Sequence, residues 1–598
     1  MKYMAEGSLD LIHDFAERVA GPSLSRGIAR LYAQHTRLRA GAKGLPSWTN
    51  DELIVRLTEG EKLLIAGMAA PDMSDSRRYL RRAAEIFEWA ATSSPVDFPI
   101  PVVLLAASIY QLAGYPARAL GILSEHTLPD KTSQILTALL RADFFRAQRL
   151  LLDFWRHGGK GDSTKHQTGI VILNQLLRAI GVLTAWMRWG DEVRIDSAIK
   201  TLEKVASALR YDSDRFSWLL SVIFAAIARE FKNEALWTSL LPLTEKVSDD
   251  GRQALNRYAR VAFLERKILT WPSQQAGIAG IASEGSFALC TPTGSGKTRV
   301  AELVILRHLF GHEDRHIKND APLILYLTPS KALSSEVESN IARSLRNIRA
   351  TSVVVTSLYG GNDFGPSDLT NIAEQPIVLI STHEKADALL RLLGQTMLKK
   401  LSCVIIDEAH SVAFTGDYEA LATAQSRSLR LEGLVSRLKT LCSPHTTFVA
   451  LSAVATDIRD VLSAWMTGKN ESRAIAPDYR STRQLFGQLW CSDNGVTTIR
   501  YDVLDGQRLL VNEEESAPYV ANPFPPHPPV IRAFKKDDSV EKRMRAHLLW
   551  AAMHFARPLD GKRHSVLISV TEHPEQYAET FIRLLTDDWA DIQYPDFF

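Results

Sequence analysis

The run Thr291-Pro-Thr-Gly-Ser-Gly-Lys-Thr298 follows the apolar stretch Phe287–Cys290 and precedes the helix-like Arg299–Leu309. A chain of phosphates needs bare backbone amides at close range, which Gly294 and Gly296 permit, and a helix N-terminus whose unpaired N–H groups favour anions. In that setting Thr293, Gly294, Ser295 and Gly296 form the cradle, Lys297 reaches the β- and γ-phosphates, and the Thr298 hydroxyl binds Mg²⁺. Thr291 stands where such loops usually carry their first glycine. A second constellation, Val404-Ile-Ile-Asp-Glu-Ala-His410, reads as an apolar strand ending in acids. It would set Asp407 at the C-terminal edge of a sheet beside the loop, able to hold Mg²⁺, with Glu408 orienting an attacking water. The two together predict a site for ATP and Mg²⁺.

Positioning these groups requires a parallel sheet. Between about 280 and 455, short β-prone runs (Phe287–Cys290, Leu323–Leu327, Ser352–Thr356, Ile377–Ile380, Cys403–Ile406 and Phe448–Leu451) alternate with helical stretches. Such alternation implies right-handed βαβ units around a sheet covered on both faces. Before it, residues 1 to about 265 read as helix after helix. In Ser74–Thr92, Leu80, Ala83, Ala84, Phe87 and Ala91 share one face, and Arg77, Arg78, Arg81 and Arg82 lie largely on the other, with Glu85 and Glu88 placed to pair with them. Tyr110, Gly114 and Ala119 have the offsets of a tetratricopeptide-type hairpin, without a convincing recurrence. A Gly/Lys/Asp/Ser loop at Gly158–Ser163 divides this region. Trp155, Trp186, Trp189, Trp218 and Trp237 fall in helical apolar patterns and read as core packing.

After the sheet come the alternating segments Gln488–Trp490 and Thr497–Val503, a turn at Asp505-Gly506, and the proline-rich Asn522–Pro529, which reads as a linker. A helix near Val540–Phe555, the strand-like Ser565–Val570 and a helix near Pro574–Leu585 then begin a second α/β unit. The expected domains are 1–265 (all-helical), 266–485 (ATP-binding α/β), 486–530 (β-containing connector and linker) and 531–598 (an incomplete second α/β domain).

With 598 residues, 45% hydrophobic and 23% charged, the composition excludes collagen-like, disordered and disulfide-stapled classes. A net charge of +2, from 70 Lys and Arg against 68 Asp and Glu, means that any polyanion must be met by local basic patches. One such segment is Val530–His564, though a solvated helix face is the better reading of it. Cys290, Cys403, Cys442 and Cys491 lie far apart without metal-ligand spacing. No apolar leader or membrane-length run is visible, so a cytoplasmic location without membrane attachment is expected.

Across roughly Leu269–Leu585 the residues resemble superfamily 2 nucleic-acid helicases, and within them the Ski2-like branch with its DEAH-type box. Thr328-Pro-Ser-Lys-Ala-Leu333 looks like motif Ia, Tyr359-Gly-Gly361 like the glycine pair that follows it, and Ser381-Thr-His-Glu-Lys385 through Arg391 like motif Ib. Leu429–Leu438 is similar to the Ski2-like segment after the box, and Leu451-Ser-Ala453 to motif III. The resemblance implies a RecA-like fold and a catalytic set of Lys297, Asp407, Glu408 and His410. It implies adenine reading by Gln274 and coupling of hydrolysis to domain movement by Ser452 and Ala453. It also implies a grip on a single strand of DNA or RNA by Pro329, Ser330, Lys331, Gly360, Gly361, Thr382, Lys385 and Arg391. His383 replaces the family's proline in motif Ib, and Val454 the threonine of motif III. Motifs V and VI, with the arginines that neutralise the γ-phosphate, have no counterpart in this sequence. The expectation is therefore a downstream polypeptide or partner subunit that completes the second RecA-like lobe.

The functional expectation is an ATP-dependent nucleic-acid helicase or translocase with a helical accessory region. Two readings stand beside it: a regulatory NTPase switching a helical-repeat scaffold, and an ATP-binding subunit that does not hydrolyse. A helical region joined to a Ski2-like core suits an antiviral defence helicase acting with a nuclease, or a repair or RNA-processing enzyme. DNA and RNA remain equally open, because no residue announces contact with a 2′-hydroxyl.

Overall fold

A computed structural model of the chain describes residues 6–21, 24–39, 48–93, 101–126, 128, 130–157, 167–210, 215–283, 285–311, 321–350, 352–357, 375–413, 416, 418–423, 426–453, 458–477, 485–491, 497–504, 507–508, 510–511, 514–515, 540–556, 564–570 and 573–588. Gly158–Ser163, Tyr359–Gly361, Val454, Asp505-Gly506 and Asn522–Pro529 lie outside the described residues. By contact the chain divides into two compact units, Met1–Ser481 and Thr482–Phe598.

In the first unit helices follow one another from Glu6–Val19 to Asp249–Leu264. Their starts are written locally. Thr49 and Glu52 form a capping box, and Asp130, Asp143 and Ser248 each accept a hydrogen bond from the backbone N–H three residues on. Helix Met73–Ser93 buries Leu80, Ala83, Ala84 and Phe87 as the periodicity predicts. It packs closely on helix Asn50–Ala69, where a Cβ on Gly67 would lie 2.7 Å from Leu80 Cγ and one on Gly60 2.9 Å from Phe87 Cε2. Three arginines of the polar face are taken up by ion pairs: Arg78 with Glu17 at 2.5 Å, and Arg81 and Arg82 with Glu85, each at 3.0 Å. Glu88 turns inward instead, accepting from the Tyr110 hydroxyl at 2.8 Å and from Arg118. Trp186 is core. Trp189 is not: it is 48% exposed, with the Arg188 and Arg260 guanidinium groups 4.9 and 5.0 Å from its ring.

The six expected strands form one parallel sheet: β1 Phe287–Cys290, β2 Leu323–Thr328, β3 Val354–Thr356, β4 Ile377–Thr382, β5 Leu401–Ile406 and β6 Thr447–Ser452, in the order β1-β6-β5-β2-β4-β3. The strand period of two divides their side chains between two cores. Ile324 and Tyr326 point into a cluster that continues through helix Lys297–Leu309 into the N-terminal helices, whereas Leu323, Leu325 and Leu327 face helices His383–Lys400, Arg427–Leu441 and Arg459–Thr467. The helical region thus shares a core with one face of the sheet. The free edge of β1 is covered by Ile475, whose backbone exchanges hydrogen bonds with Ala288 and Cys290 at 2.8 and 2.9 Å.

In the second unit Leu485–Cys491 and Thr497–Leu504 pair antiparallel, the latter pairing with Gln507–Arg508. Helices Val540–Ala556 and Pro574–Arg583 form as expected. Ser565–Val570 does not: it has no strand partner among the described residues, and Leu567 is 93% exposed. A short β-branched, apolar run forms a strand only when a neighbour takes up its N–H and C=O groups, and the described residues supply none. Among the described residues no helix is long and apolar enough to cross a membrane.

Candidate functional site

Because every strand of the sheet is parallel, Thr291, Thr328, Thr382, Asp407 and Ser452 all emerge at one edge. The phosphate loop joins β1 to helix Lys297–Leu309, with Gly294 at φ +78° and Gly296 at φ +83°. Gly296 is required twice over, since a Cβ there would also fall 1.9 Å from Gln274 Nε2. Gln274 is buried, and its Oε1 accepts from Trp271 N at 3.1 Å. Thr291 has a use in the place of the usual glycine: its Oγ1 lies 2.7 Å from Ser295 Oγ and braces the loop. The Ser295 carbonyl accepts from the Ser273 hydroxyl at 3.0 Å. Lys297 Nζ donates back to the loop carbonyls of Thr291 and Pro292, at 3.0 and 3.5 Å. Burial pushes this ammonium's pKa down, and the Glu408 and Asp407 carboxylates pull it up.

Asp407 closes the other side. Its Oδ2 accepts from the Tyr326 hydroxyl at 3.0 Å, its Oδ1 from Glu408 N at 3.0 Å, and its own N–H is held by Leu327 O at 2.9 Å. Burial raises its pKa while the Tyr326 hydrogen bond opposes this. Glu408 sits at φ +49°, outside regular structure, with Oε2 3.3 Å from His410 Nδ1. The same His410 nitrogen is 3.3 Å from Ser452 Oγ, and Ser452 O accepts from Thr291 N at 3.0 Å. One short path therefore links the acidic box, the end of β6 and the phosphate loop. The half-buried Asp407 carboxylate and the Thr298 hydroxyl are hard oxygen donors lining one cavity, a donor set that fits Mg²⁺.

Along the same edge, Ser330 caps helix Lys331–Asn347 by accepting from Leu333 N. Thr382 precedes helix His383–Lys400, and His383 occupies its first position, buried and pushed toward its neutral form. Lys385 Nζ donates to Ser357 O at 3.0 Å, and burial together with the Lys331 cation lowers its pKa, so these two cations are neighbours. Arg391 pairs with Asp387 at 2.9 Å on the exposed side of its helix. Gly360 and Gly361 lie outside the described residues, as does Val454 after Ala453.

Residues 271–461 match the family model for the DEAD/DEAH box helicase. They are a DEAD/DEAH box helicase domain. The chain is similar to the Hachiman protein HamB of Bacillus cereus, 25% identical over 428 residues (71% of this chain and 36% of that protein). It is similar to the ATP-dependent DNA helicase MER3 of Saccharomyces cerevisiae, 30% identical over 191 residues (32% of this chain, 14% of that protein). It is also similar to the ATP-dependent DNA helicase Hel308 of Methanococcus vannielii, 28% identical over 187 residues (31% of this chain, 21% of that protein). The Ski2-like reading of the motifs agrees with these relatives, of whose length the chain spans 36% or less. Among solved structures, Mycobacterium smegmatis helicase Lhr bound to ssDNA and AMP-PNP matches 40% of this chain and 28% of that chain, at 26% identity and TM-score 0.29.

Two residues of the helicase domain were not singled out by sequence reasoning. Tyr326 holds the Asp407 carboxylate, and a tyrosine in a strand that is otherwise mostly aliphatic is a signal, because a buried hydroxyl seeks a partner. Arg427 ties motifs Ia and Ib together, donating to Pro329 O at 2.6 Å and to Glu384 Oε1 at 3.1 Å. No local pattern marks it, as its partners are remote in sequence.

The cavity of the helicase domain measures about 1530 Å³ and reaches beyond it to Glu230 and Glu234, one turn apart on helix Arg215–Glu234. Burial raises Glu230 to about 8, with repulsion from Glu234 adding and Arg77 opposing, and burial raises Glu234 to about 7, both from an ordinary 4.5. Above pH 4.5 the unfolded chain loses these protons while the folded chain keeps them, so stability falls as pH rises until about pH 8. Each proton is worth at most about 1.4 kcal/mol per pH unit. Thermal melts between pH 5 and 8 should show this decline, and Glu230→Gln with Glu234→Gln should flatten it; an unchanged slope in the double variant would refute it.

Proposed function

We propose that this chain is an ATP-driven nucleic-acid helicase or translocase. The observation that carries the reading is the joint presence, on one sheet edge, of a phosphate loop, a Tyr326-held Asp407 with Glu408, and a separate strip of motif Ia and Ib loops. ATP lies with its phosphates on Gly294–Thr298, Lys297 leaves the loop carbonyls for the β- and γ-phosphates, and Glu408 orients the attacking water. Mg²⁺, held by Thr298 and Asp407, neutralises charge on the phosphates when bound. His410, touching both Glu408 and Ser452, relays the state of the γ-phosphate to motif III. The arginines that would close the γ-phosphate side are assigned to another polypeptide segment or partner. A role in antiviral defence is supported by the likeness to the Hachiman protein HamB, whose 428-residue match exceeds the helicase domain.

A single strand of DNA or RNA is assigned to Ser330, Lys331, Thr382 and Lys385, through phosphates and with little base preference. Titrating labelled homopolymeric strands at several salt concentrations tests this. Affinity should fall linearly on a log–log plot against salt, equally for each base, and Lys331→Ala should reduce the slope by about 1. A flat salt response, or strong preference for one base, would overturn the assignment.

A further inference from the structure

The cavity that holds the phosphate loop is not built by the helicase domain alone. From Lys297 and Thr298 it runs past Gln274 and Thr270 to Asn233 and Glu234, residues of the N-terminal helical region. That wall is tied down. Glu234 O accepts from both Thr270 N and Thr270 Oγ1, at 2.7 and 2.6 Å, and Asn233 O accepts from Gln275 Nε2 at 3.2 Å. Ala235 and Leu269 form an antiparallel bridge. Arg299, in the first turn after the phosphate loop, donates to Leu269 O at 3.1 Å and also to Lys267 O. The segment leading into Gln274 is thus fastened on one side to the end of helix Arg215–Glu234 and on the other to the phosphate-binding helix.

A nucleoside triphosphate whose γ end faces Asp407 and Glu408 must send its base away from them. Gln274, Asn233 and Glu234 line the same cavity, and hydrogen bonds of Thr270 and Gln275 to the carbonyls of Glu234 and Asn233 hold that wall beside Gln274. We infer that the helical region forms the base-side wall of the nucleotide site, with Glu234, flanked by Asn233 and Glu230, contacting the nucleobase and selecting adenine. The inference rests on the ATP reading above and adds, beside Gln274, further residues that contact the base. The chemistry suits adenine: a carboxyl that keeps its proton offers one donor and one acceptor, matching the N7 acceptor and N6–H₂ donor of that base. A carboxylate would offer two acceptors and suit guanine's N–H groups. Burial favours the protonated form at both positions.

The test uses the full chain and equilibrium binding of Mg·ATP, Mg·GTP and Mg·tripolyphosphate. Glu234→Ala and the Glu230→Ala/Glu234→Ala pair are expected to weaken ATP about 10-fold, the value of a lost hydrogen bond of this kind, without changing tripolyphosphate affinity. Their preference for ATP over GTP should shrink accordingly. Lys297→Ala, by contrast, should weaken ATP and tripolyphosphate together. Unchanged ATP affinity in the Glu variants, with Lys297→Ala still impaired, overturns the inference and leaves the ATP reading standing. Unimpaired ATP binding by Lys297→Ala overturns the ATP reading itself. Independently of any variant, photolabelling the wild-type chain with an azidoadenine analogue of ATP should mark a peptide containing residues 229–236; labelling confined to other peptides overturns the inference.

Discussion

Replacing Lys297 by alanine should weaken Mg·ATP binding and lower ATP turnover by at least about 10²–10³-fold, since one preorganised donor aimed at developing negative charge is worth about 2.7–4 kcal/mol in the transition state. The ammonium is half-sequestered among Thr291 O, Pro292 O and the carboxylates of Asp407 and Glu408, and burial already disfavours its charge. It is held for an incoming anion rather than solvated. The substitution leaves Gly294, Gly296 and the helix N-terminus in place, so residual binding through backbone N–H groups should persist. Isothermal titration with Mg·ATP and a phosphate-release assay measure the two effects. Turnover at the wild-type rate would remove the phosphate loop from the mechanism.

Glu408→Gln should separate what Lys297→Ala joins. Its carboxylate is bound to neither the loop nor Tyr326; it faces His410, while the backbone N–H of residue 408 anchors Asp407. A glutamine keeps that N–H, the side-chain volume and the φ of +49°, so Asp407 stays where it is. Only the carboxylate proposed to orient the attacking water is lost. Nucleotide affinity should remain within a few-fold of wild type, and hydrolysis should fall by about 10²–10⁴, the usual contribution of a positioned base. If binding fails as badly as in Lys297→Ala, Glu408 holds the nucleotide and its assignment to water is wrong.

Much of the site was legible because it is written in contiguous residues. Strand, phosphate loop and helix follow one another from Phe287 to Leu309, so the glycines, the lysine and the helix N-terminus are placed by local backbone chemistry. The six strands were readable for a similar reason: each is short, apolar and flanked by helical sequence, and parallel pairing buries both of its faces. Ser565–Val570 has the same local pattern without a partner strand among the described residues, which shows that pattern alone does not make a strand.

What the sequence determined by itself is the strand–glycine loop–helix unit from Phe287 to Leu309, the Asp407-Glu408 box at a strand end and the alternation that requires a parallel sheet. Tertiary structure decided everything that depends on residues far apart in the chain meeting one another. Tyr326 reaches Asp407 because β2 and β5 are neighbours, and Arg427 joins Pro329 to Glu384 because helix Arg427–Leu441 packs beside helix His383–Lys400. Glu230 and Glu234 share a cavity with Lys297 only because the side of the sheet bearing Ile324 and Tyr326 packs into the helical region. A helix's polar residues carry no local signal of what they will face. Hydrophobic periodicity says which side of an element is buried, and the partner it is buried against is chosen by the packing of the whole unit.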